Sequence, residues 1–357
     1  MNTSEGMVRE YRRYIRRKVI FIAICVVVSF IALGLSLSIG GRSIGFFEVY
    51  GTVFDHIVGV THEYLSSEWM DDYVIWNIRL PRSLFAIVTG VSLAIAGAIM
   101  QSVMVNPLAD PYTTGISSGA CFGVAVSSVF GFSVMNGALN GGSLVNAFVF
   151  SLVPMILMIV IMPRLRASAA SLILVGVAVS YLFNSLSTVL LTFTDSETLA
   201  TVFKWQVGTL ENITWDSLLL PVIVTVFGSV LVSLMSRKLN VLALGDKEAT
   251  ALGISADTMR IIMMCVVSLM IASVVAYAGI IGFIGLVCPH IVRMLIGSDN
   301  RFVIPGGAIF GATFFLLCDM LARYISPLGD IPVGVVVSFV GAPIFLFLIM
   351  RESRSIW

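Results

Sequence analysis

Charge is scarce in this chain. Asp, Glu, Lys and Arg together make up 11% of the 357 residues against 58% hydrophobic residues. A mean hydropathy of +1.01 lies far outside the range of a soluble globular domain. The five cysteines fall inside apolar runs without C-x-x-C spacing, which argues against a disulfide framework or a metal knot and leaves them as small buried apolar side chains. Three histidines, His56, His62 and His290, share no ligand spacing, so no metal site is expected. No Gly-Lys pair occurs anywhere, so the phosphate cradle G-x-x-x-x-G-K-[ST] is missing. Any ATP must be hydrolysed by another subunit. The middles of the apolar runs carry almost no ionisable group, although carriers coupled to protons or sodium normally keep some there at a cost of about 2.5–3.5 kcal/mol each.

What is present is length of apolar sequence. Runs of about 17 to 25 residues, enough to cross a hydrocarbon core as helix, lie near 19–39, 83–105, 113–132, 146–162, 168–193, 217–235, 261–279, 281–296, 303–323 and 332–350. The block 261–296 is punctuated only by Tyr277-Ala-Gly279-Ile-Ile-Gly282 and by Cys288-Pro289. The expected class is therefore all-α, a polytopic membrane protein of about ten transmembrane helices. Residues 1–18 read as a basic cytoplasmic tail and 19–351 as the membrane domain.

Loop charge sets the orientation. Sixteen of the 21 Lys and Arg residues fall in or beside every second gap: six between Arg9 and Lys18, then Arg164 and Arg166, Arg237 to Arg260, Arg293 and Arg301, Arg351 and Arg354. Cations accumulate on the cytoplasmic side, so both termini face the cytoplasm. Segment 40–75, with one Arg among six acidic residues, fits an outer loop. A cleaved signal peptide over residues 9–40 fits less well, since its apolar stretch is about twenty residues long without a clean small-x-small exit. Arg79, Arg82 and Arg323 then stand at helix ends on the outer side, against the bias. From the residues alone, docking of an acidic partner and snorkelling to lipid phosphate or helix capping are equally good explanations.

Other patterns read as packing. Gly115-Ile-Ser-Ser-Gly119 matches the G-x-S-x-G of hydrolases, with His290 a distant candidate base for Ser117, yet its glycines continue to Gly123 at the spacing that lets helices approach closely. Gly307 and Gly311 read the same way. Asn106-Pro107-Leu108-Ala109 has one residue too many for a water-channel half-helix and no second copy. Asp319 precedes Arg323 by four residues, which suggests an intrahelical ion pair.

Nine ordered motifs resemble one family: Arg79-Leu-Pro-Arg82, Gly97-Ala-Ile-Met-Gln101, Asn106-Pro-Leu-Ala-Asp-Pro111, Gly115-Ile-Ser-Ser-Gly-Ala120, Leu252-Gly-Ile254, Gly279-Ile-Ile-Gly-Phe-Ile-Gly-Leu286, Pro289-His-Ile-Val-Arg293, Asp319-Met-Leu-Ala-Arg323, and Ile331-Pro-Val-Gly334 with Gly341-Ala-Pro343. These look like the ferric siderophore and cobalamin permeases, the membrane subunits of type II ABC importers. The resemblance runs from about residue 20 to 351. It implies a ten-helix subunit in the cytoplasmic membrane of a prokaryote, paired with a second permease subunit, most simply as a homodimer, with the path at their interface. It also implies two cytoplasmic ATPase subunits that hold the ATP and Mg, an extracytoplasmic substrate-binding protein above, and no nucleic-acid partner or cofactor in this chain. The cargo expected is a metal chelate, first a ferric siderophore, with cobalamin and haem as alternatives.

Site residues follow by matched position. The resemblance gives Arg79, Arg82 and Arg323 contacts with glutamates on the lobes of the binding protein. It makes 237–260 the coupling element, with Gly245, Asp246, Ala249, Leu252 and Gly253 inserted into the ATPase. Within that segment Asp246 can cap a short helix that Gly253 stops, and Leu242, Leu244, Ala249 and Leu252 offer an apolar surface for a partner. Asn106 and Leu108, where Pro107 ends the second span, would form part of the inner gate. A second gate segment would fall near Ser168, Ala169 and Ala170, where relatives can carry hydroxyl residues at the two alanine positions.

Overall fold

The computed structural model describes residues 3–134, 142–161, 169–326 and 331–353. Arg164, Arg166, Ser168 and Arg354, used above for topology and the second gate segment, lie outside the described residues. Every regular element among the described residues is helical.

The chain enters as α1 (Thr3–Ser38), crosses to an outer helix α2 (Phe46–Val58), and returns through α3 (Ser67–Tyr73), a π-helical turn (Val74–Arg79) and α4 (Leu80–Val103). Basic tail and first span are one helix, so the boundary expected at residue 18 is not a structural one. The π turn has an identifiable cause. Pro81 has no N–H to give the Asn77 carbonyl one turn back, and the ladder widens just before it, with Leu80 N–H donating to the Ile75 carbonyl. Next come α5 (Ile116–Phe130), α6 (Gly142–Ile161), α7 (Ala169–Thr192), α8 (Ser196–Val207) on the outer side, and α9 (Leu219–Leu242). The cytoplasmic α10 (Asp246–Ala251) leads into α11 (Ala256–Ala278), α12 (Ile284–Ile296), α13 (Asn300–Ile325) and α14 (Val333–Ser353). Among the described residues, eight helices are long and apolar enough to cross a membrane, and α5 and α12 are shorter apolar helices. Together they occupy the ten expected positions.

The block 261–296 breaks at its glycines. Gly279 ends α11 at φ +73, Phe283 turns at φ +66, and Pro289 is accommodated inside α12. The turn lies deep in the protein, because Gly285 packs against the Leu93 carbonyl and Pro111. Irregular backbone at such depth survives only where protein satisfies it. Here Ile281 N–H reaches the Tyr112 hydroxyl at 3.4 Å, Thr209 N–H the Ala278 carbonyl at 2.8 Å, and Gly334 N–H the Gly208 carbonyl at 3.2 Å.

At the centre stands α4, with nineteen of its 24 residues buried. Helices in lipid gain little from apolar burial against each other and rely on close backbone contact instead. A Cβ at Gly90 would lie 2.3 Å from the Gly311 carbonyl oxygen of α13, and one at Gly97 only 1.7 Å from the Gly285 oxygen of α12. The stripe Gly119 and Gly123 likewise abuts the Phe150 and Asn146 carbonyls of α6, which gives the G-x-S-x-G match its packing explanation. Gly307 meets no such neighbour, so only Gly311 of that pair makes the expected close contact.

Candidate functional site

The two ends of α4 carry the residues of interest. At the outer end Asp319 is fully buried, and both its oxygens accept from arginines. Arg82 donates through Nε and Nη2 to Oδ1 at 2.9 and 2.8 Å, and Arg323 through Nε to Oδ2 at 3.1 Å. The i,i+4 pair read from the sequence is present, joined by a second arginine. Arg323 also donates to the carbonyls of Ser36 and Ile39 at 2.9 and 3.0 Å, and to Ser36 Oγ at 2.6 Å. Arg79 donates to the carbonyls of Leu37 and Ser38 at 2.6 and 3.0 Å, and to that of Arg42. These carbonyls belong to the last turn of α1, or follow it, and have no helical donor of their own, so the cations complete that helix end.

Arg79, expected to meet a docking protein, has its side chain buried inside its own chain, where it caps α1. The side chains of Arg82 and Arg323 retain 14% and 11% exposure. Arg82 also lines an outer pocket with Asn77, Glu211, Asn212 and Thr214.

At the cytoplasmic end α4 stops four residues before Pro107, so the proline does not itself end the helix. Val105 takes the left-handed conformation at φ +48, Val105 N–H donates to the Ser102 carbonyl and Asn106 N–H to that of Gln101. These are the paired bonds that close a helix in a Schellman motif, at a position where glycine is usual. Asn106 Oδ1 then accepts from Leu108 N–H at 2.9 Å, folding Asn-Pro-Leu into a tight turn that leaves Leu108 exposed. The candidate gate is a surface turn on a helix end.

Segment 237–260 forms the short helix expected. Gly245 precedes it at φ +121, and Gly253 closes it at φ +77 with the same pair of bonds, Gly253 N–H to Thr250 and Ile254 N–H to Ala249. Asp246, however, makes no cap. Its carboxylate turns to Arg260 of α11, where Nη1 reaches Oδ2 at 2.9 Å and Nη2 bonds Oδ1. The apolar surface is narrower than expected: Leu244 and Leu252 are exposed, while Leu242 and Ala249 are buried against the bundle.

Three features escaped the sequence reading. Arg260, taken above for one more loop cation, is 1% exposed and also donates from Nε to the Val103 carbonyl at 3.3 Å. Arg293 knits α12 to α4 and α13 through Gln101 Oε1, the Ala98 carbonyl, Ser102 Oγ and Asn300 Oδ1 at 3.0–3.2 Å. Third, α7 exposes Tyr181, Asn184, Ser185, Thr188 and Thr192, a polar stripe at helical spacing along a membrane span. That stripe was legible, since hydroxyls and an amide three or four residues apart share a face.

The comparisons agree with this architecture. The FecCD transport family matches residues 24–351. An ABC transporter permease protein of Methanocaldococcus jannaschii is 35% identical, with 98% of this chain and 99% of that one covered. The hemin transport system permease of Yersinia pestis is 38% identical over 79% of this chain and 84% of its own. A metal-chelate type ABC transporter solved in an inward-facing conformation superposes with a TM-score of 0.80 at 30% identity, covering 92% of this chain and 98% of that one. The chain is thus a multi-pass membrane permease subunit of the ABC transporter kind, a transport component, and it belongs to the FecCD transport family.

Proposed function

We propose that this chain forms half of the conduit of an ABC importer and passes a metal chelate, first a ferric siderophore, inward across the cytoplasmic membrane. The observation that carries the reading is the uncharged polar face of α7. Tyr181, Asn184, Ser185 and Thr188 are exposed on a span where a lipid-facing amide would be costly, which favours a watered path shared with a second permease subunit. A path without ionisable relays has no means of coupling to a proton gradient. Two cytoplasmic ATPase subunits, binding ATP and Mg, supply the energy through α10, whose exposed Leu244 and Leu252 give them an apolar foothold. Asn106 and Leu108 form part of the inner closure. An extracytoplasmic binding protein delivers the chelate to the outer face, with the exposed edges of Arg82 and Arg323 in its footprint.

Uptake of labelled ferric siderophore, cobalamin and haem by a strain lacking this gene tests the cargo. Loss of siderophore uptake alone, restored by the gene in trans, is expected. Loss of cobalamin or haem uptake instead reassigns the cargo, and loss of none removes the importer reading.

A further inference from the structure

Two regions given separate roles above are joined by one side chain. Arg260, in the first turns of α11, grips both carboxylate oxygens of Asp246 with its two terminal nitrogens. Its Nε donates to the Val103 carbonyl, in the last turn of α4. A guanidinium is a rigid planar fork, so a displacement of Asp246 cannot be absorbed by rotation about a single donor as a lysine ammonium could absorb it. The two grips differ in freedom. Asp246 belongs to a six-residue helix between Gly245 and Gly253, both at positive φ, and its side chain is 44% exposed. Val103, fully buried, precedes by two residues the strained Val105 and by three the Asn106 turn. On its other flank α4 is tied by Arg293 to α12 and α13, and α13 is tied to α9 by Asn240, which accepts from Asn300 N–H and donates to Asp299, both at 2.7 Å.

We propose that Arg260 is a positioning residue that transmits the place of α10 to the cytoplasmic end of α4, so that a shift of the ATPase-facing helix is delivered to the Asn106–Leu108 turn. This rests on the reading of α10 as the coupling helix. Arg260 touches neither chelate nor ATPase in this role. It acts by holding a carboxylate on one element and a carbonyl on another at a fixed spacing, and Asp246 is its handle.

Thiol-labelling rates test it in the assembled transporter with its ATPases, in a Cys265→Ala background where the four other native cysteines are buried. One reporter is Lys247→Cys on α10 and the other Leu108→Cys at the turn, each alkylated by a charged maleimide without nucleotide and after trapping with ATP and vanadate. With Arg260 intact both rates should change on trapping, that of position 108 by about tenfold. In Arg260→Gln, and in Asp246→Asn, whose altered side chain is nearly half exposed and should spare folding, position 247 should still respond while position 108 changes by less than twofold. Arg260→Lys should fall between. If position 108 responds fully in both variants, or does not respond with Arg260 intact, the linkage is wrong and the coupling reading stands. If position 247 is silent even in the unaltered transporter, the coupling reading fails and the linkage fails with it.

Discussion

The two ends of α4 use the same chemistry to opposite effect. At each, arginine forks hold carbonyls and a carboxylate, yet the outer knot is closed and the inner one includes a carboxylate on the short helix α10. Outside, Asp319 is 0% exposed and saturated by Arg82 and Arg323, whose backbone acceptors lie in the long helix α1. Inside, Arg260 is as deeply buried, but its carboxylate partner rides on a short cytoplasmic helix with half its surface free. Breaking a buried pair costs about 3–5 kcal/mol because the charge left behind is uncompensated, and at the inner end Arg260 keeps a second carboxylate, Asp257, at 4.0 Å. The outer end therefore has its carboxylate sealed from solvent, and the inner end has one that solvent and a partner can reach.

The largest expected effect follows directly. Asp319→Ala leaves two nearly buried guanidinium groups facing each other and should cost about 3–5 kcal/mol, read as loss of monodisperse protein after detergent extraction. Asp246→Ala should cost less, because the Arg260 guanidinium it leaves behind still has Asp257 at 4.0 Å and the Val103 carbonyl as partners. Equal losses from both would abolish the contrast between the ends.

Next in size, Arg82→Glu would place a second carboxylate against Asp319, and two such groups cannot both ionise at contact distance. Misfolding is expected before any docking defect can be read, so Arg82→Gln is the informative change. It should keep the fold, through the remaining Arg323 pair, and weaken binding-protein association with a salt dependence shallower than wild type. Unchanged affinity across a salt titration would confine Arg82 to its structural partnership with Asp319.

At the inner end, Gly253→Arg should separate folding from work. Nothing lies within 4 Å of a Cβ at Gly253, so the only internal penalty is the positive φ, about 1–2 kcal/mol. The permease should insert normally, while the added bulk disturbs the seat of α10 in the ATPase, abolishing binding-protein-stimulated uptake in proteoliposomes. Normal uptake would remove this segment from coupling. Asn106→Ala with Leu108→Ala should be milder still in structure, because it deletes one bond in an exposed turn. Its expected result is passive leak of chelate without ATP, and an unchanged leak in assembled transporter would take the pair out of the gate.

The contrast between the ends also explains what could be read in advance. The positions of the ten apolar helices were legible because apolar length is a property of contiguous sequence. Even the break within 261–296 was marked by Gly279. The direction in which an arginine points is not such a property. The bonds of Arg79 within its own chain were not legible, since its partners Leu37, Ser38 and Arg42 lie some forty residues away and are backbone atoms, which leave no trace in residue identity. Asp319–Arg323 was legible because its spacing is one helical turn. Asp246–Arg260 was not, because it closes across the turn at Gly253, and Asp246 looked like a cap from its place at the head of α10. The polar stripe of α7 could have been found by period alone. Asp299 was equally hidden: it caps α13 through Arg301 N–H and binds the Arg301 side chain and Asn240. Burial opposes its ionisation, yet those bonds draw its carboxyl down to about 2. A folded value below the unfolded one gives stability that is present above about pH 4 and lost as pH falls toward 2.

The smallest expected effect is a comparison inside the inner end. The helices α4 and α10 close with the same pair of backbone bonds, but the left-handed position is Gly253 in α10 and Val105 in α4. A β-branched residue there carries about 1–2 kcal/mol of strain that glycine does not. Glycine in turn loses more conformational freedom on folding, which returns about 0.5–1 kcal/mol of that gain. Val105 is 45% exposed, so its removal forfeits little packing. Val105→Gly should therefore raise the thermal midpoint of the detergent-solubilised permease slightly, while Gly253→Val lowers it, the two shifts having opposite sign and comparable size. A lower midpoint for Val105→Gly would mean that the valine side chain contributes contacts exceeding its strain, and the turn at Asn106 would then be held by packing as well as by its backbone bonds.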